Sequence, residues 1–173
     1  LKDLAGKFPP SILIGVVVRG EEVIVPNGDF TININDNIYI LGQPSNLYGF
    51  CKLMGKYPQK IRNVMIAGGG RITFYLSKLL IEMGIKVKII EIDRERCMQL
   101  SELLPEVLVI HGDGTDDELL KSENIEDMDG FISLTGMDEE NLMSALLAKQ
   151  NGVKKVMAKI SRTNYVGIIK NLG

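Results

Sequence analysis

The chain has 173 residues and a net charge of −2. Its length and its 45% of apolar residues suffice for one domain, or for two small ones, with packed cores. A single histidine and two distant cysteines, Cys51 and Cys97, argue against a metal site and a disulfide framework. The sequence has no basic stripe interleaved with aromatic residues and no apolar run of membrane-spanning length, so we expect a soluble cytosolic protein that does not bind nucleic acid.

Residues 11 to 42 carry only β signals. Four short strands separated by turn residues are predicted, with the sequences "ILIGVVVRG", "EEVIVP", "FTINI" and "IYILG". A helix is predicted over residues 44–57, with one apolar face formed by Leu47, Phe50, Leu53 and Met54. Gly55 and Pro58 are expected to end this helix, which places a domain boundary near residues 56 to 61.

From Ile61 onward, apolar strand candidates alternate with amphipathic helical stretches. The strand candidates are "NVMIAG", "IKVKIIEID", "EVLVIHG", "GFISLTG" and "KKVMAKIS". Alternating strands and helices are typical of right-handed βαβ units and a parallel sheet. The sequence therefore predicts a doubly wound α/β fold with a ligand crevice at the carboxyl ends of the strands.

Three consecutive glycines follow the first of these strands and precede a helix, as in a dinucleotide-binding loop. Gly68 is expected to form the tight turn, and Gly70 to let the backbone approach a pyrophosphate. Thr73 stands where that fingerprint has a third glycine, and its β-branched side chain is expected to push the helix slightly outward without closing the anion site. A glycine-rich turn that binds nothing is the alternative.

An acidic residue, Glu91, ends the second strand 23 residues after Gly68. A carboxylate at this place can accept hydrogen bonds from both ribose hydroxyls of an adenosine, and it would repel a 2′-phosphate. This favours NAD or an adenine nucleotide over NADP. The alternative is that Glu91 or Asp93 pairs with Arg94 or Arg96.

The ends of the third and fourth strands carry two more candidates. Asp113 lies on a glycine-flanked turn where it could meet the adenosine, although Thr115 or Asp116 could equally cap the next helix there. Thr135, with Gly136, would approach the phosphates from across the crevice; the carboxylates that follow favour a helix N-terminus as the alternative.

No catalytic residue is predicted. A dehydrogenase on this fold needs an acid or base for the proton that accompanies the hydride. His111 is the only histidine and is interpreted as structural, because it ends a strand on the adenosine side.

Both parts resemble RCK domains, the regulators of potassium conductance. Residues 1–57 are similar to an RCK carboxyl-terminal subdomain that lacks its front, through the segments "RGEE", "PNGD" and "DNIYILG". Residues 58–173 are similar to the nucleotide-binding subdomain, through "VMIAGGGRIT", "VKIIEIDRERC", "VIHGDGTDDELL", "ISLTGMDEEN" and "VMAKISR". This order, and a first residue other than methionine, indicate an internal fragment of a tandem, TrkA-type RCK chain that stops before its sixth strand.

The resemblance implies a cytoplasmic regulatory subunit, peripheral at the inner face of the membrane, that binds NAD(H), or else ATP or ADP. It implies no catalysis, gating of a potassium transporter subunit of the TrkH or TrkG kind, and self-association to a dimer or higher. A nucleotide that touches opposite sides of the crevice is expected to bridge parts that can move apart. An NAD-dependent oxidoreductase and a degenerate module that only assembles are the alternatives. The ligand residues that the resemblance implies are Gly68, Gly69, Gly70, Arg71, Ile72, Glu91, Asp113, Thr135 and Lys159, with Arg162 as an alternative to Lys159.

Overall fold

The computed structural model describes residues 12–55 and 60–162. The chain divides into two compact units between residues 59 and 60. We describe each unit by itself.

The first unit is a small antiparallel sheet followed by a helix. Its strands are β1 (Ile12–Arg19), β2 (Glu22–Ile24) and β3 (Asn37–Gly42), arranged in the order β2-β1-β3. The helix α1 (Pro44–Leu53) follows directly. Val17 of the central strand β1 is fully buried, as expected for the middle of a sheet whose apolar, β-branched strand is paired on both sides. The prediction of a β-rich first part is confirmed, but with three strands instead of four.

The prediction of a strand at "FTINI", residues 30–34, is wrong. The Arg19 guanidinium donates to the Thr31 carbonyl oxygen (3.0 Å), and the Asp36 carboxylate accepts from the Asn33 backbone N–H (2.8 Å). Asn35 adopts a positive φ of 72°. These side chains engage backbone groups that a strand would pair with its neighbour, so the segment is an irregular turn despite its alternating pattern.

The helix α1 is shorter than the sequence predicts. It ends at Leu53, and Gly55 follows with a φ of +67°, a conformation that glycine adopts most easily. Residues 56 and 57, the end of the predicted helix, lie outside the described residues. Phe50 is buried as predicted, whereas Leu53 and Met54 are exposed.

The second unit is a five-stranded parallel sheet with helices between its strands. The strand order is β6-β5-β4-β7-β8, and the predicted doubly wound fold is confirmed. A short 3-10 turn at Ile125–Asp127 precedes β7. The elements in chain order are β4 (Asn63–Ala67), α2 (Arg71–Glu82), β5 (Lys86–Glu91), α3 (Arg94–Leu103), β6 (Leu108–His111), α4 (Asp117–Ser122), β7 (Gly130–Ser133), α5 (Asp138–Gln150) and β8 (Lys155–Ala158).

The core of this unit lies on both faces of the sheet. Alternate residues of the central strand β4 point to opposite faces: Val64 and Ile66 pack into one apolar cluster, and Met65 and Ala67 into the other. Burial on both faces explains why β4 reads as a continuous apolar run. The central strand is therefore packed on both faces directly before the glycine loop.

The strand order places the reversal point beside β4, which pairs with β5 on one side and β7 on the other. Ligands of open α/β sheets bind at such a point, outside the carboxyl ends of the strands. The longest helix of the described residues, Asp138–Gln150, has 13 residues, and no helix described is long and apolar enough to cross a membrane.

Candidate functional site

A crevice of about 270 Å³ lies at the carboxyl ends of β4, β5, β6 and β7. Six of the nine predicted ligand residues line it. They are Gly68, Gly69, Gly70, Glu91, Asp113 and Thr135. The fold therefore brings together residues as far apart in the sequence as Gly68 and Thr135.

Close approaches surround the first two glycines of the loop, to backbone atoms at Gly68 and to side-chain ends at Gly69. Gly68 has a φ of +96°, and a Cβ atom there would lie 2.9 Å from the carbonyl carbon of Leu134. A Cβ atom at Gly69 would lie 2.6 Å from Leu100 Cδ1. At Gly70, in contrast, a Cβ atom would meet nothing within 4 Å. The absence of a side chain at Gly70 thus leaves open space at the start of α2, where a ligand can approach the backbone.

Three side chains hold this loop in place. The Thr73 hydroxyl donates to the Gly68 carbonyl oxygen, and the Glu91 carboxylate accepts from the Gly69 N–H. The Arg96 guanidinium donates to the Gly69 carbonyl oxygen at 2.7 Å. Thr73 is fully buried. The residue that departs from the glycine fingerprint is therefore part of the loop's own hydrogen bonding.

The N-terminus of α2 faces the crevice without a side-chain cap. Gly70 is the N-cap residue and makes no side-chain hydrogen bond. The first N–H groups of a helix have no partner within the helix, and the helix dipole adds partial positive charge there. Arg71 and Ile72 of the first turn are exposed and do not line the crevice. This end of α2 has the features of an anion site.

The Glu91 carboxylate contacts backbone N–H groups. Its two oxygens accept from Gly69 and, at 2.8 Å, from the N–H of Asp93. Asp93 in turn caps α3 by accepting from the Arg96 N–H. In the described part of the chain, neither acid forms an ion pair with Arg94 or Arg96, the alternative drawn from the sequence. Each carboxylate oxygen keeps a second lone pair for a further donor.

The turn after β6 is built around Asp113. Its carboxylate accepts from the backbone N–H and the hydroxyl of Thr115, at 2.8 and 2.7 Å. Asp116 caps α4 by accepting from the N–H groups of Glu118 and Leu119. Capping thus falls to Asp116, and Asp113 shapes the wall of the crevice.

The opposite wall is organised by Asn141, which the sequence analysis missed. Asn141 is fully buried, and its Oδ1 accepts from the Ser133 hydroxyl (2.9 Å) and the Thr135 N–H (2.7 Å). Its Nδ2 donates to the carbonyl oxygens of Thr135 (3.3 Å) and Lys159 (3.0 Å). One amide thereby ties the ends of β7 and β8 together.

Lys159 lies behind this wall and does not line the crevice. Its ammonium donates to the Thr135 carbonyl oxygen at 2.7 Å. Arg162, the alternative phosphate ligand, forms an ion pair with Glu139 at 3.0 Å. Lys159 is thus bonded to a residue of the crevice.

Asp138 fixes the chain after β8 to the start of α5. This buried carboxylate accepts from the backbone N–H groups of Ser161 (2.9 Å) and Arg162 (2.9 Å). The bond from Ser161 is the main cause that lowers the pKa of Asp138. The carboxylate is therefore ionised at neutral pH and acts as a hydrogen-bond acceptor for the backbone after β8.

A second groove, of about 590 Å³, runs between α5 and the edge strand β8. It is larger than the crevice, but its walls are mostly aliphatic, and Lys149 and Lys154 are the only charged side chains among the described residues that line it. Binding sites usually combine an apolar lining with converging polar groups. The glycine-loop crevice meets that description better, and it is the candidate site.

His111 lies at the end of β6 and is exposed, with its Nε2 3.0 Å from the Ile92 carbonyl oxygen. It does not line the crevice. The histidine thus lies beside the site.

Comparison with protein families gives two matches that together cover almost the whole chain. The model of the TrkA-N domain matches residues 64–173, and that of the TrkA-C domain matches residues 1–55. The Trk system potassium uptake protein trkA homolog 1 of Methanosarcina mazei is 36% identical over 100% of this chain. The Trk system potassium uptake protein TrkA of Halomonas elongata is 38% identical over 91% of this chain. The chain spans 42% and 34% of these relatives' lengths.

Two solved structures share the fold. The NAD(P)-binding domain of an exopolyphosphatase-related protein from Archaeoglobus fulgidus aligns with a TM-score of 0.56 and 18% identity, covering 66% of this chain and 84% of that one. The Kef C-terminal domain of Shewanella denitrificans, in an AMP-bound form, aligns with a TM-score of 0.51 and 21% identity. It covers 65% of this chain and 67% of that one.

Proposed function

The chain belongs to the TrkA family, and on that premise we propose that it is the nucleotide-sensing part of a regulatory subunit of a potassium-uptake system. The observation that carries the proposal is the crevice in which an uncapped helix N-terminus, at Gly70, lies beside the carboxylate of Glu91. The first can bind phosphate and the second ribose, and both face one space.

The ligand that fits this arrangement is an adenine nucleotide, with NAD(H) the first candidate and ATP or ADP the second. The open space at Gly70 allows a phosphate to approach the backbone, and the bonds from Thr73 and Arg96 fix the loop in advance. Preorganisation of this kind lowers the entropic cost of binding. Glu91 would repel the 2′-phosphate of NADP, which we therefore expect to bind more weakly than NAD.

We propose a sensor without catalysis, and not an oxidoreductase. Hydride transfer needs a proton donor or acceptor near the reacting atoms. The one histidine lies outside the crevice lining, with its Nε2 at the Ile92 carbonyl oxygen, and two of the three lining carboxylates, those of Glu91 and Asp113, are bonded to backbone groups. These contacts support a site that holds a nucleotide without transforming it.

The signal would pass to a membrane partner through assembly. We propose that the full protein is cytoplasmic, associates with the inner face of the membrane and gates a potassium transporter subunit of the TrkH or TrkG kind. Two relatives carry the name of a Trk potassium-uptake protein, which supports this partner class. We also propose that the chain forms a dimer or a larger oligomer, which small-angle scattering with and without nucleotide would test; a monomer of identical shape in both conditions would contradict it.

Calorimetric titration with NAD, NADH, ATP, ADP and NADP tests the binding proposal. Gly70→Asp provides the matching variant, because its backbone angles (φ −69°, ψ −173°) suit a capping aspartate and no atom blocks the side chain. The new carboxylate should cap α2, and so stabilise the free protein, while it occupies and repels the anion site. Binding should weaken by about tenfold or more, since a like charge replaces an attractive helix end.

Gln43→Asp is the control for that variant. Gln43 is the N-cap of α1, in extended backbone and likewise without a side-chain cap bond, and it lies in the other unit. It should stabilise its helix by a similar amount, about 1 kcal/mol, and leave nucleotide affinity unchanged. The proposed function is wrong if the unaltered chain binds none of the five nucleotides.

A further inference from the structure

Ser144 lies on the wall of the crevice and has no role in the site described so far. It belongs to α5, on the buried face that also carries Asn141 one turn earlier and Ala148 one turn later. Its side chain lines the crevice, yet none of its surface is exposed.

The Ser144 hydroxyl has no hydrogen-bond partner among the described residues, although it is fully buried. The contrast with Asn141 is clear, because that amide has all four of its hydrogen bonds within the same helix face and crevice wall. A buried hydroxyl without a partner is unfavourable by roughly 1–3 kcal/mol and is rare in folded proteins. Its position beside a crevice offers a reason for it to be retained.

The surroundings of the hydroxyl indicate which part of a ligand it would meet. A Cβ atom at Gly114 would lie 2.7 Å from Ala67 Cβ and 4.0 Å from Ser144 Oγ. Ala67 is the last residue of β4 and immediately precedes the glycine loop. The hydroxyl therefore lies beside the 112–115 turn and near the end of β4, where the glycine loop begins.

The charges of the lining point to the same part of a ligand. Three lining side chains, those of Glu91, Asp113 and Glu140, are carboxylates that only accept hydrogen bonds when ionised. A serine hydroxyl can donate, so it can bind the anionic portion of a nucleotide that the carboxylates would repel.

We propose that Ser144 donates a hydrogen bond to a phosphate oxygen of the bound nucleotide, directly or through one water molecule. This inference rests on the proposed function and extends it to a residue on α5. Because the hydroxyl has no exposed surface, the bond requires a small shift of the 112–115 turn or a change of the serine rotamer. The bond therefore forms only in the nucleotide-bound state. A residue of α5 then has a contact in the bound state that it lacks in the free state.

The experiment compares Ser144→Ala with Ser77→Ala in the 173-residue chain. Ser77 is the matched control: it is fully buried in α2, its hydroxyl is also without a partner, and it does not line the crevice. Each chain is titrated by calorimetry with ADP, and adenosine binding is followed by NMR chemical-shift changes.

We expect Ser144→Ala to weaken ADP binding about 3- to 10-fold, the effect of losing one hydrogen bond, and to leave adenosine binding unchanged. Ser77→Ala should leave both unchanged, and both variants should unfold at the same or a higher temperature than the unaltered chain without nucleotide. Equal ADP affinity in the two variants, or an equal loss for adenosine, overturns the assignment of Ser144 to phosphate. An unaltered chain that binds ADP tightly keeps the proposed function intact in that case. A chain that binds another of the five nucleotides but not ADP overturns the phosphate assignment of Ser144 alone, and a chain that binds none of the five overturns both.

Discussion

Replacing Asn141 with alanine is the most direct test of how the far wall of the crevice is held. The change removes four hydrogen bonds at once, and it leaves the Ser133 hydroxyl and the Thr135 N–H without the acceptor that they share at 2.9 and 2.7 Å. Lys159 loses the donor to its carbonyl oxygen, whereas the Thr135 carbonyl keeps the Lys159 ammonium at 2.7 Å. The variant thus removes the partner of three groups, namely the Ser133 hydroxyl, the Thr135 N–H and the Lys159 carbonyl oxygen, and it leaves the Thr135 carbonyl oxygen with one donor instead of two.

Each buried polar group left unpaired costs about 1–3 kcal/mol. We therefore expect Asn141→Ala to lower the free energy of unfolding of the second unit by about 2–5 kcal/mol, a large share of the roughly 5–15 kcal/mol of a typical domain. Because the chain has two units, its global unfolding need not be two-state. Amide hydrogen exchange in β4 and β7 measures the second unit alone.

Asn151→Ala is the control on the same helix. Asn151 is half-buried at the end of α5, and its Nδ2 donates to Asp117 Oδ1 (2.8 Å) and to the Leu147 carbonyl oxygen (2.9 Å). Both acceptors have other partners or access to solvent, so we expect a loss of about 0.5–1.5 kcal/mol. If the two alanine variants destabilise the unit equally, the central role given to Asn141 is refuted.

Three further outcomes follow from contacts already described. Thr73→Gly, which the glycine fingerprint alone would favour, should weaken ADP binding several-fold because the hydroxyl that fixes the Gly68 carbonyl oxygen is lost. Thr73→Ser keeps a hydroxyl and should restore the affinity for ADP. If calorimetry finds that Thr73→Gly binds ADP as tightly as the unaltered chain, the bond is dispensable. Glu91→Ala should weaken NAD binding by about 1–3 kcal/mol, and an unchanged calorimetric affinity would remove Glu91 from the ribose site. The hydrogen bond from Arg19 lowers the pKa of Asp36 from 3.8 to about 2. The ionised Asp36 therefore stabilises the first unit fully above pH 3.8, and this stabilisation is lost as the pH falls through 2. Asp36→Asn should abolish the corresponding acid dependence of amide exchange in β1 and β3, and an unchanged acid profile would contradict the assignment.

The parallel sheet could be predicted because its signal is local and redundant. The strand "NVMIA" is apolar without interruption since both faces of β4 are covered, and the glycines follow it directly. "FTINI" has an equally good strand pattern, yet it is irregular. What decides its structure is the bond network of Arg19 and Asp36, which are 17 residues apart, and a local pattern does not report such a pairing.

The candidate site could be predicted only where its residues stand directly at the ends of recognisable strands. Glycines at a strand end and an acid at the end of the next strand are recognisable, and the fold places both in the crevice. Asn141 and Ser144 were missed because a polar residue in a helix is usually solvent-facing. Their spacing with Asp138 and Ala148, three or four residues apart, puts them on the buried face and was the available signal.

The structure also restricts how binding could become a signal. The sequence suggested that a nucleotide would bridge two walls able to move apart, but β4 and β7 are paired neighbours, and the Leu134 N–H donates to the Ala67 carbonyl oxygen at 2.8 Å beside Gly68. Separating the walls there would break these backbone hydrogen bonds, so the pairing argues against this route, which stays a prediction.

The groups left to respond are those that a bound nucleotide would contact differently from the free state: the 112–115 turn, the Thr135 segment and α5 beneath them. A ligand shifts an equilibrium only by its difference in affinity for the two states, and roughly 5.5 kcal/mol converts a 1:99 population to 99:1. A single hydrogen bond of about 1 kcal/mol at Ser144 supplies only part of that difference. The remainder must come from several such contacts or from symmetric copies acting together, which is why self-association belongs to the proposed function.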